Sequence, residues 1–172
     1  MKIVLATLLL SGMLMAMPLH AQEADDPELI FKKTTVWRLL SPDAKLATYV
    51  LDDPDIEGVA CYFTVPEVGG WSGWAGFAEE TSDTSISCRQ VGPITIKAKF
   101  AQGHEIYRQR RSLFFKKMQI VRGCDAKRNV LVYLAYTDRL IEGSPKNSNS
   151  TVPIMPWGTS TAPKCSEFVT PE

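Results

Sequence analysis

The sequence predicts a mainly β fold, an antiparallel sandwich or small barrel with few short helices. Three observations carry that expectation. Short runs rich in β-branched and aromatic residues recur at close spacing, separated by Pro, Asp and Gly. No long stretch repeats its apolar residues with the 3.6-residue period of a helix. Four cysteines, an even set, are spread along 172 residues, a length that suits one ordinary domain and is too short for two comfortable ones. The composition, 45% hydrophobic and 22% charged, excludes a disordered, collagenous or polytopic membrane protein. Nineteen Lys plus Arg balance nineteen Asp plus Glu.

The chain opens with Met1-Lys2, then an apolar run from Ile3 to Leu19 interrupted by Ser11 and Gly12. Pro18 loosens its end, and Leu19-His20-Ala21 places a small residue before Gln22. Charge, short apolar stretch and small residue in that order read as a secretory signal peptide over residues 1–21. A spanning helix needs roughly 20 apolar residues with anchoring flanks, whereas this run leads into Glu23, Asp25 and Asp26. After cleavage the chain is not expected to span a membrane. Gln22, not Cys, follows the cut, which argues against a bacterial lipid anchor. Removal of Lys2 leaves eighteen positive against nineteen negative charges, and His104 as the sole histidine.

The mature region, residues 22–172, reads as one domain with an irregular tail from about 143. After an acidic start (Gln22 to Glu28), Thr34 to Leu40 is a β-rich run ended by Ser41-Pro42-Asp43. Lys45 to Leu51 alternates, with Leu46, Thr48 and Val50 against Ala47, Tyr49 and Leu51, until Asp52-Asp53-Pro54-Asp55 breaks it. Val59 to Val65 sets Cys61, Phe63 and Val65 on one face, and Pro66 is expected to stop it. The Pro- and Asp-rich connection predicts antiparallel pairing of these two strands. Ser85 to Val91, Ile94 to Lys99, Glu105 to Arg108 and Ser112 to Val121 are further strand candidates. Asn129 to Thr137 is apolar on both faces and is expected to be a central strand. Asp125 to Asn129 then turns a hairpin. A short helix is expected near Phe77 to Asp83. From Gly143 onward Pro, Ser, Thr and Asn dominate, a tail tied back by Cys165.

Cys61, Cys88, Cys124 and Cys165 contain no C-x-x-C, which excludes thioredoxin-like and haem-attachment motifs. In an oxidising compartment they imply two disulfides with three possible connectivities. Pairing chain neighbours favours Cys61–Cys88 and Cys124–Cys165. A zinc site would need paired short spacings that the chain lacks, so no metal and no cofactor is expected.

Four features could carry function. Gly69-Gly70-Trp71-Ser72-Gly73-Trp74-Ala75-Gly76-Phe77 repeats Gly before an aromatic, which suits a ligand platform of Trp71, Trp74 and Phe77, or a turn that closes the core. No phosphate-loop pattern matches it. Asp53, Asp55, Glu57 and Gly58 imitate the opening of an EF-hand loop. Thr64 stands where its Glu should, Pro54 intrudes and the flanks are strands, so a turn capped by carboxylates accepting backbone amides fits better. A basic, aromatic stretch carries Arg108, Arg110, Arg111, Lys116, Lys117 and Arg122, with Lys127 and Arg128 nearby. It reads as a positive, solvated face or a partner surface. For an exported protein an envelope protein or an anionic envelope component suits that surface, and nucleic acid does not. Gly143-Ser144-Pro145-Lys146-Asn147 fits no nucleophile motif and reads as a turn. A Ser-His-Asp triad would have to use His104, which reads as exposed in a polar turn. Glu79, Glu80 and Asp83 are candidate carboxylates for acid–base work.

Gly76-Phe77-Ala78-Glu79-Glu80-Thr81-Ser82-Asp83 through Ser87-Cys88-Arg89-Gln90-Val91-Gly92-Pro93 resembles the signature of the CreA family. Asp52-Asp53-Pro54, Asp125-Ala126-Lys127-Arg128-Asn129, Tyr133-Leu134-Ala135-Tyr136 and Gly143-Ser144-Pro145-Lys146-Asn147 follow in the same order. The resemblance covers roughly Phe31 to Pro156. It implies a small exported bacterial protein, periplasmic in Gram-negative cells, with no established activity, cofactor or active site. It also places Cys61 and Cys88 at family cysteine positions, which favours that disulfide. Val68-Gly69-Gly70-Trp71-Ser72-Gly73 stands where the family reads T-G-G-I-K-G, and Gly123-Cys124 where an aromatic pair is usual. The expectation is therefore a periplasmic protein with a non-catalytic binding or envelope-associated role. The alternatives are an envelope-acting hydrolase and a regulatory partner of a membrane sensor.

Overall fold

Eight strands build two four-stranded antiparallel sheets in the computed structural model, which describes residues 27–36, 44–68, 85–108, 118–137 and 146–171. The first sheet contains β1 (Glu28–Val36), β2 (Ala44–Asp52), β3 (Ile56–Val68) and β4 (Ser85–Ile96), in chain order. The second contains β5 (His104–Arg108), β6 (Met118–Asp125), β7 (Val130–Thr137) and β8 (Asn147–Pro153), again in chain order. Each strand pairs with its successor within a sheet, so both sheets are meanders. Neither closes into a barrel. The single helical turn among the described residues is a 3-10 turn at Cys165–Glu167.

Period-two alternation explains which side of each strand is buried. Cys61 and Phe63 of β3, Ile86, Cys88, Ile94 and Ile96 of β4, and Leu131, Tyr133 and Ala135 of β7 all enter one shared core. β6 adds Met118, Ile120 and Cys124, and β8 adds Val152. β7 is central, flanked by β6 and β8, as its two apolar faces predict. At the seam, Cys88 N–H donates to Ser150 Oγ at 2.8 Å. The Gln90 side-chain amide also clasps the Met155 backbone at 2.9 and 3.0 Å.

Both predicted hairpins are present. β2 and β3 pair with Leu51 opposite Cys61, across a turn in which Asp53 Oδ1 accepts the amides of Asp55 and Ile56 at 3.0 and 3.1 Å. β6 and β7 join through Asp125, whose Oδ1 accepts the amides of Lys127 and Arg128. Asn129 completes that turn at φ 56°, a left-handed conformation that Asn tolerates. The two disulfides join Cys61 to Cys88, directly opposite each other on β3 and β4, and Cys124 to Cys165. The second fastens the tail to β6.

Four expectations about elements need correction. β1 starts at Glu28, ahead of the expected Thr34, because Leu29 and Phe31 find partners opposite Tyr49 and Thr48 of β2. Pro66 does not stop β3, which runs on to Val68. Among the described residues Thr64, opposite Ser85, is the last β3 position in register with β4, and proline is tolerated where a strand edge can spare an amide. The segments expected as Ser85 to Val91 and Ile94 to Lys99 are one strand that ends at Ile96, with Gly92-Pro93 bulged between Gln90 and Thr95. The tail from 143 is not wholly irregular. Asn147–Pro153, poor in strand formers, is β8 because β7 supplies a ladder for it. The turn at Ser41-Pro42-Asp43, the helix near Phe77 to Asp83 and the part of Ser112 to Val121 before Met118 lie outside the described residues.

The bulge depends on Gly58. Its φ is +80°, and a Cβ there would collide with the Pro93 carbonyl oxygen and stand 2.9 Å from Gly92 O. Gly58→Ala should therefore destabilise by about 2 kcal/mol, summing left-handed strain and displaced backbone. A urea melt at constant slope checks this, and an unchanged midpoint would show that the bulge relaxes freely.

Candidate functional site

The sequence alternates inward and outward along β6, and the inward series Met118, Ile120, Cys124 contains one charged member, Arg122. Its side chain is wholly buried. This corrects the reading of Arg122 as part of a solvated basic face: strand parity, not local charge density, decides where it points. Arg122 Nη1 donates to Asp53 Oδ1, and Arg122 Nη2 donates to Asp55 Oδ2 at 3.2 Å. The guanidinium lies over the Phe100 ring, 4.3 Å from its centroid. Arg122 Nε is buried with no hydrogen-bond partner among the described residues.

Asp53 is the hub. Oδ1 takes the two turn amides and Arg122, while Oδ2 accepts the Tyr133 hydroxyl at 2.7 Å. Three of the four donors converge on Oδ1 and one on Oδ2, so the carboxylate is hydrogen-bonded through both oxygens. The turn that carries Asp53 belongs to the first sheet, whereas Arg122 and Tyr133 belong to the second. The cluster is thus a charged clasp across the core. Paired and hydrogen-bonded charges can be buried this way, but the loss of one partner strands the other.

Burial, the Asp53 carboxylate and the hydrogen bond to it push the Tyr133 phenol well above the ordinary tyrosine value. A raised folded-state pKa adds stability that is present in full below the unfolded value of about 10. It is lost progressively as pH climbs from there toward the folded value. The chain should accordingly lose up to about 1.4 kcal/mol per pH unit above that point through this one group. Tyr133→Phe should flatten the alkaline slope relative to the unaltered chain in pH-dependent denaturation. Parallel slopes would show that the proton on Tyr133 is not held by Asp53.

The clasp reaches solvent at Asp55, where His104 Nε2 stands 3.5 Å from Asp55 Oδ2. Among the described residues, His104 has no hydrogen-bond or ion-pair partner for its side chain other than Asp55. The acidic turn that imitates an EF-hand is occupied otherwise: Asp53 and Asp55 by Arg122, and Glu57 by Lys97 at 3.4 Å.

The basic stretch is only partly described. Arg108 Nε donates to both Glu105 oxygens at 2.9 and 3.0 Å. Arg128 pairs with Asp125 at 2.7 Å, and that hydrogen bond holds the Asp125 carboxyl below its ordinary range. Trp71, Trp74, Phe77, Glu79, Glu80, Asp83, Arg110, Arg111, Lys116 and Lys117 lie outside the described residues. The sequence reading foresaw the Asp53 turn but missed the Arg122–Asp53–Tyr133 cluster. The inward parity of β6, continued one residue past Val121, is the signal that would have found it.

Comparison with known proteins agrees with the signature blocks. The family described as CreA protein matches residues 30–157. The proteins named Protein CreA in Escherichia coli strains K12 and O157:H7 are each 46% identical to the chain over 142 residues. These alignments cover 80% of this chain and 87% of the relative. No solved structure matches. With its family signature in order, and nearly half its aligned residues shared with these relatives, the chain belongs to the CreA family.

Proposed function

We propose that this CreA-family chain is an exported, periplasmic protein that acts by binding, without catalysis. The observation that carries the reading is the clasp itself. Among the described residues, the buried side chains of Asp53, Arg122 and Tyr133 are joined to one another inside the core, with only Arg122 Nε left without a partner. Large apolar side chains, by contrast, stand outward: Phe31, Leu46 and Tyr62 are each more than a third exposed on the first sheet. Exposed apolar area of that kind is what an interaction surface presents. The leader at residues 1–21 and two disulfides support export into an oxidising compartment.

Two measurements test the proposal. Osmotic-shock fractionation with N-terminal sequencing should recover a chain that begins at Gln22, with all four cysteines oxidised by mass. Recovery from the cytosol, with its leader and free thiols, would overturn it. In a deletion strain, Tyr62→Lys should fail to complement any envelope phenotype that the deletion produces, while His104→Ala complements it. Loss with His104→Ala at unchanged melting temperature would assign catalysis instead.

A further inference from the structure

We propose that β1 pairs with β1 of a second copy of this chain about a two-fold axis, joining two first sheets edge to edge. β1 is the outermost strand in the order β1-β2-β3-β4, and Leu29, Ile30 and Phe31 on it are 44%, 48% and 55% exposed. A long, apolar edge strand is a template for another strand. What selects the same strand as partner is charge and register. Pairing with β2 places Glu28, Phe31 and Lys33 on the outer face, opposite Val50, Thr48 and Leu46. Leu29 and Lys32 take the other face, opposite Tyr49 and Ala47, and Ile30 is the extra residue of a bulge.

A two-fold axis normal to the sheet keeps each residue on its own face, so opposed residues must share a face. Counted across the bulge, the register centred on Phe31 satisfies this for every pair. It sets Phe31 against Phe31 of the second copy, Leu29 against Lys32, and Glu28 against Lys33, the last two each made twice. The neighbouring permitted register, centred on Lys32, opposes two lysines, which is unfavourable. Centring on Leu29 leaves Glu28 against Phe31. Only the Phe31 register joins opposite charges. The strand is self-complementary, and Pro27, with no amide hydrogen, closes the ladder beyond Glu28. The joined outer face would bring Phe31, Leu46 and Tyr62 of both copies onto one continuous surface.

Charge exchange tests this in the mature, oxidised chain by sedimentation equilibrium from about 1 μM to about 1 mM, the span of weak edge association. The unaltered chain should dimerise. Glu28→Lys and Lys33→Glu should each weaken dimerisation about tenfold, because each alteration sets two like-charge pairs in the interface. The double variant Glu28→Lys/Lys33→Glu should restore it, which separates lost pairing from lost folding. Phe31→Cys should form a disulfide-linked dimer on mild oxidation, whereas Glu57→Cys, far from the axis, should not. A chain monomeric throughout that range, reversals without effect, or equal crosslinking at both cysteines would overturn the proposal.

Discussion

Arg122→Ala should destabilise the chain by about 3–5 kcal/mol, the largest effect expected of any single substitution here. The reasoning rests on what is left behind. Removing the guanidinium leaves the Asp53 carboxylate buried at the meeting of both sheets, with two turn amides and one phenol but no countercharge. It also leaves a void under the Phe100 ring and deprives Asp55 of its inner partner. A domain of this size has roughly 5–15 kcal/mol in total, so a large share of molecules would unfold under mild stress. Arg122→Met, which fills much of the same volume, should lose somewhat less. Urea unfolding of both variants checks the order. A loss under about 1 kcal/mol for Arg122→Ala would place the side chain in solvent, against its complete burial.

Replacing Cys124 and Cys165 with Ser should lower stability by about 4 kcal/mol, and replacing Cys61 and Cys88 by about 3.5 kcal/mol. Both figures follow from the loops closed, 41 and 27 residues, since the longer loop restricts the unfolded chain more. The two losses differ in where they act. Cys61 and Cys88 already face each other across a ladder that pairs Val59 to Thr64 with Gln90 to Ser85, so the native pairing outlasts the bond. The tail at Cys165 has fewer ties. Asn129 holds the Cys165 amide and Pro163 O, and Phe100 exchanges backbone hydrogen bonds with Phe168 and Thr170. Limited proteolysis should therefore nick the Cys124/Cys165 variant first within residues 157–164, before global unfolding. Equal cleavage of both variants would show that those backbone ties suffice.

The parts of the fold legible in the sequence are those fixed by short-range patterns. Leu131, Tyr133 and Ala135 alternate with Val132 and Leu134, and a strand apolar on both faces belongs inside a sheet. Asp125 and Asn129 have the side chains that a tight connection needs. β8 was illegible because Asn147 to Ser150 lacks intrinsic strand preference and is held in a strand by β7, a property of the partner. The bulge at Gly92-Pro93 looked like a chain break because nothing nearby shows that Gly58, 34 residues upstream, leaves room for it. The clasp was half visible. Asp53 announced a capped turn, but its countercharge lies 69 residues away, among other basic residues that invite a surface reading.

The central claim is that Arg122 and Asp53 act as one unit between the two sheets. A double-mutant cycle with Asp53→Asn and Arg122→Met measures it most directly by urea denaturation. Asn keeps an oxygen for the turn amides and Met keeps the volume, so the cycle isolates the charge pairing. The account predicts that each single variant is destabilised and that the double variant recovers at least about 2 kcal/mol relative to the sum. Strict additivity, to within about 0.5 kcal/mol, would contradict it.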